Sequence, residues 1–107
     1  MGQMRMTYAT AMVLQALNGG YMYGFDIADV TGLRGGTVYP ILRRLEDSGF
    51  VRSQWERVSV SRNEGRPPRK YYRLAPVAHE MVAAARARFP EATSAIGASP
   101  RRLERVR

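Results

Sequence analysis

The 107-residue chain has no cysteine, one histidine (His79), one tryptophan (Trp55) and, among its many cations, one lysine (Lys70). Without cysteine there is no disulfide, no zinc finger and no thiol nucleophile. One isolated histidine does not make a transition-metal site, which draws on several imidazole or thiolate ligands. His79 and Glu80 are sequence neighbours and leave a helix in different directions, so they do not form an acid–base pair. The glycine pairs lack the lysine and the spacing of a phosphate-binding loop. No enzymatic constellation is left, and no cofactor is implied. No apolar run approaches the length of a membrane span. The opening MGQMRMTYAT also lacks the long apolar core of a signal peptide. The expectation is a cytoplasmic, non-catalytic protein of one domain.

Arginine is what the chain has in excess. Lysine and arginine total 17 against 9 acidic residues, a net charge of +8. That imbalance favours a polyanionic partner, nucleic acid or an anionic membrane surface, over a merely basic surface. The planar guanidinium fork suits phosphates and guanine edges in a way the ammonium group does not. Apolar content of 45% is enough for a modest core. A domain this small buries a limited share of its surface, which leaves room for a partner subunit to add stability.

Periodicity orders the rest. Ala9, Met12, Val13, Ala16 and Leu17 fall on one helical face, predicting a helix over Thr7–Leu17 that Asn18-Gly19-Gly20 ends. A second helix, about Tyr23–Val30, places Tyr23, Ile27 and Val30 on one side, with Asp26 near its positive end. Thr31 to Gly35 is a short turn. A third helix, about Gly36–Ser48, carries Val38, Ile41, Leu42 and Leu45 as its apolar stripe. Its opposite side carries Thr37, Pro40, Arg43, Arg44 and Asp47, with Tyr39 on the flank. Pro40 is tolerable in the first turn, which argues for a start near Gly36, and Gly49 is the stop. Phe50–Val58 reads as a strand with Val51, Ser53 and Trp55 on one face. SVSRNEGRPPR, residues 59–69, reads as a loop, and Arg69–Leu74 as a return strand with Tyr72 and Leu74 inward. Pro76 opens a fourth helix whose one face is Ala78, Met81, Val82, Ala85 and Phe89, and Pro90 ends or kinks it.

This order, α-α-α-β-β-α, is that of a winged helix-turn-helix: mainly α with a small β-hairpin (α+β). The division is an N-terminal extension at 1–6, the DNA-binding domain at 7–75, a C-terminal dimerisation helix at 76–96 and a flexible basic tail at 97–107. The 36–48 helix would anchor its apolar side on the first two and offer its arginine side to a major groove. The 59–69 wing would lie on the backbone. Over residues 57–73, six cations (Arg57, Arg62, Arg66, Arg69, Lys70, Arg73) face Glu64 alone, a backbone-neutralising surface.

GGTVYPILRRLEDSGFV at 35–51, the strand containing Trp55 and GRPPRKYYRLAP at 65–76 together resemble the PadR-like transcriptional regulators. YGFDIAD at 23–29 is similar to that family's second helix. The resemblance spans about residues 8–89. It implies a homodimeric repressor held together mainly by the last helix with help from the first, and, in some short members, a flat aromatic effector at the dimer interface. Ala75-Pro76-Val77-Ala78 replaces the family's usual threonine and glycine before the last helix, and Pro90 shortens that helix.

The candidate DNA contacts are therefore Thr37, Tyr39, Arg43 and Arg44 on the helix, and Arg62, Arg66, Arg69 and Lys70 on the wing. Thr37 and Tyr39 would bond phosphate oxygens at the positive helix end, with packing between helix and wing the other reading of Tyr39. Arg73 is placed to pair with Glu56 across the hairpin. Trp55 is expected to pack against a neighbouring helix. Met12, Ala78, Met81, Val82, Ala85 and Phe89 are the candidate dimer interface; for Met12, Met81 and Phe89 the other readings are core and a ligand pocket. A winged-helix protein-interaction module that does not bind DNA specifically is the alternative function, with the apolar face of the short last helix open to its partner.

Overall fold

The computed structural model describes residues 5–97, so most of the predicted extension and tail lies outside the described residues. Helix α1 (Tyr8–Asn18) begins where the Thr7 hydroxyl oxygen accepts from the Thr10 N–H at 3.1 Å. Every residue from Thr10 to Leu17 is buried. The sequence predicts one apolar face, yet α1 is enclosed nearly all round, because the helices that follow pack about it. Even Gln15 is inside, its amide donating to the Val82 carbonyl at 3.3 Å.

Helix α2 (Gly24–Thr31) ends at Gly32, and the Thr31 hydroxyl folds back to donate to the Ile27 carbonyl at 2.7 Å. Helix α3 (Gly35–Asp47) follows after a three-residue turn and buries Val38, Ile41, Leu42 and Leu45 against α1 and α2. Pro40 sits in its second turn rather than its first. It removes the hydrogen bond to the Gly36 carbonyl. The stop is a Schellman motif: Gly49 takes φ 84°, its N–H reaching the Glu46 carbonyl and the Phe50 N–H the Leu45 carbonyl. That reversal turns the chain directly into β1 (Val51–Trp55).

β1 pairs antiparallel with β2 (Lys70–Leu74), Val51 opposite Leu74 and Trp55 opposite Lys70. Tyr23 bridges to Tyr71 on the far side of β2. The wing between the strands is not the plain loop the sequence suggests. It contains α4 (Val58–Asn63), so β1 ends at Trp55 rather than Val58. The same Schellman geometry closes this short helix: Gly65 has φ 67°, Gly65 N–H bonds the Arg62 carbonyl and Arg66 N–H the Ser61 carbonyl.

After β2, Pro76–Ala78 form a 3₁₀ turn that leads into α5 (His79–Arg88). Phe89 leaves helical geometry, with φ −131° and ψ 69°, and Pro90 opens a separate helix, α6 (Pro90–Gly97). Pro90 thus both stops one helix and starts the next, where its missing N–H removes nothing. Both α5 and α6 pack on α1. Ala92 and Ile96 enter the core, so the C-terminal segment is folded back over the body, and α1 receives the apolar residues that a single extended helix would leave open.

Candidate nucleic-acid interface

The solvent side of α3 is made by what the core does not take. Thr37, Tyr39, Pro40, Arg43, Arg44 and Asp47 are exposed, as periodicity predicts. Among the described residues the ion pairs belong to Arg66, and Arg43 and Arg44 stand side by side without a carboxylate partner. Gly24, the first residue of α2, underlies Tyr39: a Cβ at position 24 would fall well inside contact distance of the Tyr39 ring. The tyrosine is therefore laid across the start of α2 with its ring still 47% exposed. It packs and remains available at once. Residues 23–24 give a hint of this in sequence, a Tyr-Gly step opening a helix, but not the contact.

The hairpin stands beside α3. The Ser53 hydroxyl donates to the Glu46 carboxylate on α3. Between the two elements lies an open cleft of ≈ 430 Å³ lined by Tyr39, Arg43, Glu46, Asp47, Lys70 and Tyr72. Lys70 therefore shares a surface with the helix residues. Its ammonium lies 5.9 Å from the ring centroids of both Trp55 and Tyr72. Trp55 does not pack against a helix as its size suggests: it is 63% exposed. Lys70 is the neighbour that lies over part of the ring. Burial holds the Tyr72 hydroxyl above its ordinary pKa.

The base of the wing is organised by a carboxylate. Glu56 receives both terminal nitrogens of Arg66, at 2.6 and 2.9 Å, and the Arg69 backbone N–H at 3.2 Å. The Tyr23 hydroxyl donates to it at 3.4 Å. Hydrogen bonds from Arg66 hold the Glu56 carboxyl down at about 2, against an ordinary 4.5, although its burial works the other way. Burial first, and then the Glu56 charge, raise the Tyr23 hydroxyl. Arg66 also donates to Glu64 at 2.9 Å. The expected Arg73–Glu56 pair is absent, because Arg66 reaches Glu56 from the wing and the hairpin register sets Arg73 opposite Arg52. Arg66 is thus engaged inside the wing rather than held out to a ligand. Arg62 and Arg69 are exposed, and Arg69 lies 4.5 Å over the Tyr23 ring. Of the eight candidate DNA contacts, Thr37, Tyr39, Arg43, Arg44 and Lys70 gather around α3, and Arg62 and Arg69 lie on the wing.

The candidate dimer residues divide. Met12, Ala78, Val82 and Ala85 are buried within the chain's own core, where α1 meets α5. Met81 and Phe89 are partly exposed. Phe89 meets Tyr8 edge to face at 5.8 Å.

A family model, the Transcriptional regulator PadR-like family, matches residues 13–83, from α1 through both strands into α5. The chain belongs to the PadR-like family of transcriptional regulators. Family membership makes this PadR-like protein a DNA-binding regulator and not an enzyme. A crystal structure of a PadR family transcription regulator from a hypervirulent Clostridium difficile is similar in fold, with a TM-score of 0.66 at 21% identity, over 85% of this chain and 96% of that one. No curated protein sequence matches. No helix among the described residues of this PadR-like protein is long and apolar enough to cross a membrane.

Proposed function

We propose that the protein is a cytoplasmic, homodimeric repressor that reads DNA with α3 and steadies itself with the wing. One observation carries the reading: Arg43 and Arg44 lie adjacent on the open side of a helix whose other side is locked into the core, with no carboxylate bound to either among the described residues. A guanidinium fork so placed can bond a guanine edge in the major groove. Thr37 and Tyr39, nearer the positive helix end, fix the register on phosphates. Lys70, Arg62 and Arg69 neutralise backbone on the hairpin side. Arg66 has a different task from the one its charge suggests. It shapes the wing through Glu56 and Glu64, so that Arg62 and Arg69 are presented together.

The second copy would meet the first along the α1–α5 side, where Tyr8, Met81 and Phe89 remain part-exposed. Each α3 would then enter one half-site, the two centres about 34 Å apart. A dimer seated on such a site blocks the DNA to polymerase, which is repression.

Binding of a duplex from upstream of its own gene, measured against salt, tests the proposal. With three basic residues per subunit, Arg62, Arg69 and Lys70, on phosphates, log affinity should fall against log salt with a slope of roughly −5 for the dimer. A slope near zero, or no footprint at any salt, would remove DNA as the partner of this surface.

A further inference from the structure

We propose that the outer face of the hairpin carries an oxyanion seat, formed by Arg52, Arg73 and Gln54 beside the Tyr71 ring, that accepts the phosphoryl group of a small phosphorylated molecule. In the strand register Arg52 lies directly opposite Arg73, and Gln54 directly opposite Tyr71. Like charges set opposite one another weaken a hairpin. Both arginines are exposed, and neither takes part in an ion pair among the described residues. The depression over them, ≈ 290 Å³, is lined by Arg52, Ser53, Gln54, Tyr71, Arg73 and Leu74, none of them acidic. The cleft beside α3 differs in this respect, because Glu46 and Asp47 stand in its wall.

One of the two forks is already placed. The Arg73 guanidinium lies 5.6 Å over the Tyr71 ring, and that ring is braced edge-on by Tyr23 at 6.2 Å. Two guanidinium groups and a side-chain amide supply donors on three sides of a tetrahedral dianion, and guanidinium–phosphate bonds are of the strong, charge-assisted kind. Bound phosphate would turn a repulsive cross-strand pair into a bridged one. The Tyr71 ring leaves an apolar wall for the rest of the ligand.

The seat faces away from α3. Strand alternation puts Ser53 and Tyr72 on the side of α3, where Ser53 bonds Glu46, and Arg52, Gln54, Tyr71 and Arg73 on the other. Arg69, which the wing offers to the DNA backbone, alternates onto this same side, so the duplex-affinity arm of the test is what separates a small phosphorylated molecule from the DNA backbone.

The test is a titration of the full chain with inorganic phosphate and with pyrophosphate, at ionic strength held constant with chloride, followed by nitrogen-edited NMR of the arginine Nε and glutamine side-chain groups. Saturating shifts are expected at Arg52, Arg73 and Gln54, while Arg57 and Arg86 stay in place. Arg52→Gln/Arg73→Gln should weaken that binding by roughly tenfold or more and leave duplex affinity within about twofold. It should melt no lower than the parent, since it removes a repulsion. Arg52→Gln alone should shift both readouts the same way. Shifts that never saturate and spread over all arginines would overturn the proposal. A double variant that melts lower than the parent would overturn it too, because the pair would then be structural. Loss of duplex affinity in step with phosphate affinity would reassign both arginines to the DNA backbone and end the small-molecule reading, whereas failure of DNA binding in the parent protein leaves the phosphate titration unaffected.

Discussion

Single residues decide how the reading surface is held. Gly24 is small because Tyr39 lies on it, and a methyl group there must move the ring. The ring is half out in solvent and can swing, so Gly24→Ala should cost little stability, about 1 kcal/mol or less. It should nevertheless weaken duplex binding, because Tyr39 leaves its place at the helix start. Thermal melts and a binding isotherm on the same variant separate the two effects. Equal affinity with a large loss of stability would mean that Gly24 serves packing alone. Glu56 gives a second residue-level prediction. Its folded pKa of about 2 lies below the ordinary 4.5, so between those values the unfolded chain binds more protons and stability rises with pH. The Glu56 contribution is fully present above pH 4.5 and is lost as pH falls toward 2. The stability difference between the parent and Glu56→Gln should therefore shrink across that window and stay level above it, as followed by urea unfolding at a series of pH values. A difference that does not change with pH would show that the Arg66 bridge adds nothing in solution.

At the scale of elements, legibility followed the kind of signal each element carries. Helix α3 was readable because four apolar residues at helical spacing and a terminal glycine report the same object. The strands were readable from alternation, down to the inward Tyr72. Helix α4 was not, because VSVSRN has no apolar stripe to detect. Its existence depends on the Schellman closure at Gly65 and on Arg66 bonding back to Glu56, a contact ten residues apart in sequence. Gly65→Ala should therefore act on the wing and not on the core. Alanine at φ 67° is strained by about 1 kcal/mol, so α4 amides should lose exchange protection while those of α3 keep theirs. Unchanged protection in α4 would show that the helix does not need this turn. Pro90 was ambiguous for a related reason. A proline signals a break, but whether a second helix follows depends on Ala92 and Ile96 finding space on α1.

For the whole molecule, the near-complete burial of α1 explains where four of the candidate dimer residues lie in the single chain: in its core. Ala78, Val82 and Ala85 do form one face of a helix, as their spacing says, and that face turns inward to α1. Spacing identifies an apolar face and does not tell which body covers it. The arginine excess was legible as a preference for nucleic acid. The proposed division into reading, neutralising and wing-building groups was not, since it depends on which carboxylates the fold brings near. Among the described residues Arg66 has two, and Arg43 and Arg44 have none.

Selection of duplexes from a random pool by the parent and by Arg43→Ala/Arg44→Ala, at one fixed salt concentration, tests the reading role of α3 most directly. The parent should enrich a two-fold symmetric site with half-site centres about one helical turn apart. The double variant should lose that preference, by roughly 1–3 kcal/mol for each bidentate contact removed, while keeping most of its affinity for unrelated DNA. If the double variant enriched the same site at undiminished affinity, the open face of α3 would not be what reads the sequence.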